Sequence, residues 1–298
     1  MKSTTILNYN RENIKETPYI SPNFSFMEAI PSFNIDNDHF YVQIKFLDID
    51  NKESTWLDFG YWYFDKKQER KLNEGKISID TDLITSEKKL KACKLKFISD
   101  ESVKVNSIAL SFSDEIFEIG KIKDDGYIPK PILLNVPFRS QMKENPKIAQ
   151  NICSSTSVCA VAEYYGINIK TEEFANITYD DYYKMFGLWW RSIQTAHKFG
   201  LNGFVRYFES FKEVEYYLNF GIPVISCISY KKGELTGSKT ESSLGHVTVI
   251  CGFDENGDVI CCDPAEKDEK VGIMVYKRNE YASAWFSSAG GVGYILTK

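Results

Sequence analysis

Gly245-His-Val-Thr-Val-Ile-Cys-Gly-Phe253, then Asp254-Glu-Asn-Gly257, then Asp258-Val-Ile-Cys-Cys-Asp263 reads as a strand, a turn and a returning strand. After His246 the first run is almost continuously apolar, the pattern of a buried strand. Asn256-Gly257 is a strong hairpin signal, because both residues tolerate the positive φ that tight turns require. A four-residue loop pairs Phe253 with Asp258, and therefore Thr248 with Asp263. His246 shares the face of Thr248, so His246 and Asp263 become diagonal neighbours with Cβ atoms roughly 7 Å apart, within reach of an imidazole–carboxylate hydrogen bond. A two-residue loop keeps Asp263 on that face but shifts it further off, whereas a three-residue loop turns it to the other side.

Upstream, Asn151-Ile-Cys-Ser-Ser-Thr-Ser157 opens a run in which Val158, Val161, Ala162 and Tyr165 recur at helical spacing, with Gly166 at the position of a C-cap. The spacing predicts a helix capped by Asn151, with Cys153 in its first turn. There, free backbone N–H groups and the positive end of the helix dipole lower a thiol pKa and can receive an oxyanion. A thiolate nucleophile also needs an imidazole, a group that orients the imidazole, and a second oxyanion donor. His246 and Asp263 are candidates for the first two, and the side-chain amide of Gln141, twelve residues before Cys153, is a candidate for the third. The chain has only three histidines. His39 lies in a β-rich region and His197 at a helix end, where a cation favours the dipole without catalytic duty, so His246 is left as the base.

These residues also carry a resemblance. From about Ile132 to Lys298 the chain resembles the papain-like peptidases of cysteine peptidase family 39, the group that includes the bacteriocin-leader processing domains of export transporters. The match runs through Asn135-Val-Pro137, Ser140-Gln141, Cys153-Ser-Ser-Thr-Ser157, Gly245-His246, Gly252-Phe-Asp-Glu-Asn-Gly-Asp-Val259 and Asp263-Pro-Ala265. It is closer to stand-alone bacterial members, through the Gly233 to Gly237 loop and the Tyr276 to Trp285 tail; those members also carry an N-terminal β-domain. The resemblance implies an α+β papain-like cysteine peptidase domain, with helices packed on an antiparallel sheet and a peptide or protein as substrate. It implies Cys153 as nucleophile, His246 as general base and acid, Asp263 as orienter and Gln141 as oxyanion donor, with no cofactor or metal. Two departures, Ile152 in place of tryptophan and Ser155 in place of proline, bear on the shape of the entrance more than on the chemistry. An amidase or acyltransferase acting on a non-protein substrate is one alternative. A binding protein that kept the fold and lost turnover is the other.

At 298 residues, with 43% apolar and 14% aromatic content, the chain suits two folded domains. Residues 1–113 read as an all-β sandwich, jelly-roll-like: Phe40, Val42, Ile44 and Phe46 alternate with Tyr41, Gln43, Lys45 and Leu47, and Cys93-Leu95-Phe97 and Ile108-Leu110-Phe112 repeat the pattern. The aromatic stretch Trp56 to Phe64 suits core packing better than a carbohydrate-stacking surface. Residues 114–131 read as a linker and 132–298 as the peptidase-like domain. Within the latter, Tyr179 to Phe199 is expected to be mostly helical and Phe211 to Phe220 to form a short helix ended by Gly221. Trp189-Trp190 is read equally as a core anchor or, through Trp189, as a substrate-binding wall.

A net charge of −5 and the lack of a basic cluster interleaved with aromatics argue against a nucleic-acid partner. No apolar run approaches the roughly 20 residues of a membrane span. Met1-Lys-Ser-Thr-Thr-Ile-Leu-Asn turns polar too soon for a signal-peptide core, so the default expectation is the cytoplasm, with secretion open because relatives are exported. Seven cysteines without framework spacing fit a reducing compartment. The adjacent pair Cys261-Cys262 points to opposite faces of a strand and reads as core packing, not a zinc site.

Overall fold

The computed structural model describes residues 1–63, 69–268 and 271–298. It divides into two compact units, one of Met1–Ile116 with Phe204–Arg206, the other of Phe117–Gly203 with Tyr207–Lys298. Together they make an α+β chain, with an all-antiparallel sheet region first and helices packed on an antiparallel sheet second. Among the described residues no helix is long and apolar enough to cross a membrane.

The first unit contains β1 (Lys2–Asn13), β2 (Phe26–Ile35), β3 (Phe40–Asp48), β4 (Leu57–Trp62), β5 (Asn73–Glu74), β6 (Ile77–Asp80), β7 (Leu83–Ile98) and β8 (Lys104–Ser113). They join in the order β1-β8-β2-β7-β3-β4, with the β5–β6 hairpin attached to β7. The 16-residue β7 pairs with β2 along its first part and with β3 along its second, so one sheet supplies both layers. Phe33 of β2 meets Phe59 of β4 edge-on at 5.7 Å and Phe97 of β7 at 5.8 Å. Because β2 and β4 are not neighbours in the sheet, that contact shows the two layers closing on a shared core. Along β3 the expected alternation holds, with Phe40, Val42, Ile44 and Phe46 buried. Phe59 and Trp62 are also buried, Tyr61 stacks on Tyr41 at 5.0 Å, and the Trp56 ring lies beneath Lys45, Lys96 and Lys94. Packing thus accounts for Phe59, Tyr61 and Trp62, while Tyr63 is exposed and Phe64 lies outside the described residues.

The second unit begins with residues pinned to its own helices: Asp124 pairs with Arg278, the Ser287 hydroxyl donates to the Ile122 carbonyl, and the Tyr127 hydroxyl donates to Glu215. Its elements are β9 (Ile132–Leu133), α1 (Cys153–Tyr164), α2 (Thr171–Thr178), α3 (Trp189–Lys198), the ends of β10 (Asn202–Tyr207), α4 (Phe211–Asn219), β11 (Val224–Tyr230), β12 (Ser243–Phe253), β13 (Val259–Cys262), β14 (Ile273–Tyr276), α5 (Arg278–Ala282) and β15 (Val292–Thr297). The sheet order is β10-β15-β11-β12-β13-β14, with β9 beside β12.

Three helices stop in the same way. After α1, the N–H groups of Gly166 and Ile167 donate to the carbonyls of Glu163 and Ala162; Gly200 and Leu201 repeat this after α3, and Gly221 and Ile222 after α4. Each is a Schellman ending, and each glycine holds a positive φ, of +80°, +88° and +72°. The starts follow less closely. The N-cap of α1 is Ile152, without a side-chain cap, while Asn151 ends a short 3₁₀ turn, Ala149–Asn151. The helix expected over Tyr179 to Phe199 forms only from Trp189 onward. The Asp180 carboxylate accepts the N–H groups of Tyr182 and Tyr183, and Lys184 takes a φ of +55°, so the chain turns where the helix would have begun.

Helix α1 is buried nearly all round, although it opens on a polar run. Each early hydroxyl has a partner: Ser154 Oγ meets Ser192 Oγ at 3.0 Å, Ser155 Oγ meets Thr178 Oγ1 at 3.2 Å, Thr156 Oγ1 donates to Ile152 O at 2.8 Å, and Ser157 Oγ donates to Val247 O at 3.1 Å. Small side chains let α2, α3 and β12 approach closely, and the bonds offset the desolvation of four hydroxyls. Val158 and Val161 add apolar burial on the order of 1.5–3 kcal/mol each.

The hairpin differs from the four-residue expectation in an instructive way. Phe253 pairs with Val259, leaving a five-residue loop, which by itself would turn Asp263 to the wrong face. Asp254 shapes the loop by accepting the N–H groups of Asn256 and Asp258. A β-bulge at Cys251 then inserts one unpaired residue into β12, and the register resumes as Ile250 with Cys261 and Val249 with Cys262. Continued by one position, it sets Thr248 opposite Asp263.

Candidate active site

Cys153 is the first residue of α1, and the His246 side chain and the backbone N–H groups of Val247 and Ser154 act on its thiol. The Ser157 bond to the Val247 carbonyl holds the helix against the strand at this point. Of the seven cysteines it is the one that is not fully buried. Burial acts to raise its thiol pKa, but the His246 side chain and the two backbone N–H groups outweigh burial, and the thiol lies below its ordinary value. Elsewhere burial pushes thiols up, Cys159 to about 12 and Cys93 and Cys261 further.

His246, buried on β12, donates from Nε2 to Asp263 Oδ1 at 2.7 Å, which leaves Nδ1 for the sulfur. Burial acts to lower the imidazole, yet the Asp263 carboxylate and the Cys153 sulfur hold it well above its ordinary value. Asp263, just past β13, is 1% exposed. Burial acts to raise its carboxyl, but His246, the Tyr276 hydroxyl and the Ala265 N–H outweigh it and hold it below the usual range. Such an arrangement can keep a thiolate and an imidazolium together near neutral pH. The other histidines are engaged elsewhere: His39 Nδ1 with the Tyr63 carbonyl at 2.7 Å, and His197 Nδ1 with Asn202 at 3.1 Å.

Gln141 opens a 3₁₀ turn capped by Ser140, whose hydroxyl also donates to the Glu266 carbonyl. Its backbone N–H donates to Pro264 O at 2.9 Å and its side-chain Nε2 to Ala149 O at 2.7 Å. The turn is therefore tied on one side to the segment carrying Asp263 and on the other to the approach to Cys153. Gln141 is 4% exposed, and its Oε1 is buried without a hydrogen-bond partner. Trp189 starts α3 half-buried while Trp190 is fully buried. Ser192, three residues on, meets Ser154, so this end of α3 lies beside the first turn of α1.

Two contributors were not foreseen from sequence. The Val247 N–H follows from the strand's path past the helix start. Tyr276, noted only within a tail motif, donates to Asp263 Oδ2 at 2.6 Å. Its strand partner is Val259, four positions from Asp263, so ladder spacing gives no reason to join them.

Comparison with known proteins places residues 133–291 in the family model described as the Peptidase_C39 like family. Among solved structures, the chain is similar to one described as a C39-like peptidase from Bacillus anthracis, with 18% identity, a TM-score of 0.43, and coverage of 57% of this chain and 98% of that one. It is also similar to the peptidase domain of Streptococcus ComA, a bi-functional ABC transporter involved in a quorum-sensing pathway, with 16% identity, a TM-score of 0.39, and coverage of 55% and 98%. A third is a double glycine motif protease from an AMS/PCAT transporter in complex with the leader peptide, with 18% identity, a TM-score of 0.37, and coverage of 56% and 96%. No curated protein matches the chain.

Proposed function

The chain belongs to the Peptidase_C39-like family, and from that premise we propose that it is a cysteine peptidase in which Cys153, His246 and Asp263 carry the chemistry. The observation that supports this most is one continuous arrangement: a cysteine at a helix start that is not fully buried, an imidazole that favours its thiolate, and a buried carboxylate hydrogen-bonded to the imidazole. In this reading the Cys153 thiolate attacks a peptide carbonyl carbon. The oxyanion takes hydrogen bonds from the Cys153 backbone N–H and from the Gln141 amide hydrogen not directed at Ala149. His246 then protonates the departing amine, and water, deprotonated by His246, releases the acyl-enzyme. Asp263 keeps the ring oriented throughout. Trp189, at the near end of α3, forms part of the wall against which the substrate chain lies.

The test needs no substrate: the pH dependence of iodoacetamide alkylation at each cysteine, mapped by mass spectrometry in wild type and His246→Ala. In wild type, Cys153 reacts fast well below the ordinary thiol pKa of about 8.5, while the six buried thiols lag. Without His246 its profile moves up toward that ordinary value. A wild-type Cys153 that titrates like a free thiol rejects the assignment. Once a substrate is in hand, Gln141→Ala is expected to lower kcat by about 10²-fold with little change in the alkylation profile, as for loss of one oxyanion donor. An unchanged kcat removes Gln141 from the mechanism.

A further inference from the structure

We propose that Tyr276 is a positioning residue that holds Asp263 in the orientation in which its carboxylate meets His246, a role that rests on the reading of Cys153, His246 and Asp263 given above. Tyr276 ends the edge strand β14, whose Ile273 and Val275 are exposed, yet Tyr276 itself is fully buried. A tyrosine hydroxyl buried to that degree requires a partner. It donates to Asp263 Oδ2 at 2.6 Å. The other two donors to this carboxylate, His246 Nε2 at 2.7 Å and the Ala265 N–H at 2.9 Å, both reach Oδ1. Among the described residues, Tyr276 is therefore the group that fixes the second oxygen. A carboxylate held through one oxygen can rotate about its Cβ–Cγ bond and swing away from the imidazole; one held through both cannot.

The tyrosine is itself held. Its ring packs against Tyr281 at 5.8 Å, and the Tyr281 hydroxyl meets Ser226 Oγ and Thr248 Oγ1, each at 2.6 Å. A short tail segment thus fastens the carboxylate from one side to the middle of β11 and β12 on the other. The titratable groups facing Asp263 are His246 from β12, Tyr276 from β14 and Cys261 from β13, with Cys153 of α1 beyond the imidazole.

The competing account is that Tyr276 is simply a core aromatic. Tyr276→Phe separates the two, because it keeps the ring and removes only the donor. With folding established by near-UV circular dichroism, the variant is expected to move the midpoint of the Cys153 alkylation profile up by about one pH unit, which is about tenfold slower reaction on its acid side. In an Asp263→Ala background the same change is expected to add nothing, since Tyr276 acts through that carboxylate. A Tyr276→Phe profile that overlays wild type reduces Tyr276 to packing. A full further loss in the Asp263→Ala background shows that it acts elsewhere, and also overturns the proposal. An ordinary thiol profile at Cys153 in the wild type sinks the underlying reading of the site instead, and is seen before any Tyr276 variant is made.

Discussion

Cys153→Ala is expected to abolish peptide hydrolysis, a loss of about 10⁴-fold or more as for removal of other covalent nucleophiles, while the protein stays folded. The residue is not fully buried and the change removes a single sulfur atom, so it opens little cavity, and a shift of a few degrees in Tm is the expected limit. Hydrolysis that survives in purified Cys153→Ala protein ends the nucleophile assignment. Asp263→Ala divides its effects differently. Catalysis falls by less, because Cys153 and His246 remain, but stability falls by about 3 kcal/mol, because the imidazole and the Tyr276 hydroxyl lose a buried partner. The sign of the pH dependence follows from the direction of the shift. The carboxyl of Asp263 is lower in the folded state than in the unfolded one, so its contribution is present above the unfolded carboxylate pKa and fades as pH falls through the folded value. Stability curves of wild type and Asp263→Ala should therefore separate near neutrality and converge in acid. Parallel curves would mean that the carboxylate is not held ionised by its neighbours.

What the sequence revealed, and what it hid, divides by the range of the forces involved. Glycine positions fixed three helix ends, because a left-handed residue after the last turn is a local steric requirement. Alternation in β3 fixed which side chains face the core, because a strand has a period of two. The start of α1 departs from a cap at Asn151 because the approach is a tight 3₁₀ turn, and the buried Ile152 occupies the cap position. The chain before Trp189 departs from a helix because the Asp180 carboxylate captures backbone N–H groups that a helix would use. The hairpin is the subtlest case. The expected facing of His246 and Asp263 emerges, but through a five-residue loop and a bulge whose two parity changes cancel. Nothing local to Asp254 to Asp258 announces the bulge, which sits where β12 also meets a third strand. Tyr276 was hidden for a related reason: its partner is reached by the length of a side chain across the end of the sheet, not by register.

That third strand, β9, makes Gly252 a sensitive backbone position beside the site. Gly252 follows the bulged Cys251 and pairs with Ile260 of β13 on one edge and Leu133 of β9 on the other. A Cβ built there falls far inside van der Waals contact with the Ile132 carbonyl oxygen and reaches 3.0 Å from the Leu133 Cα. Both obstacles are backbone, so no side-chain rotation relieves them; either β9 detaches or β12 bends. Each outcome reaches the site. The chain leaving β9 is held by Leu134 N–H on Cys251 O at 2.8 Å and continues to Gln141, whose own N–H binds Pro264 beside Asp263. Gly252→Ala is therefore expected to destabilise the protein by about 3 kcal/mol or more, in the range of severe backbone strain. The folded fraction should also hydrolyse substrate more slowly, because Gln141 and the bulge that aligns Asp263 move together. Gly245→Ala is the matched control: a Cβ there meets nothing within 4 Å, so stability should stay within about 0.5 kcal/mol of wild type. Denaturant midpoints of the two variants decide the matter. A Gly252→Ala midpoint equal to that of Gly245→Ala would show that β9 gives way freely, and the register of the hairpin would then have to be held by β11 and β13 alone.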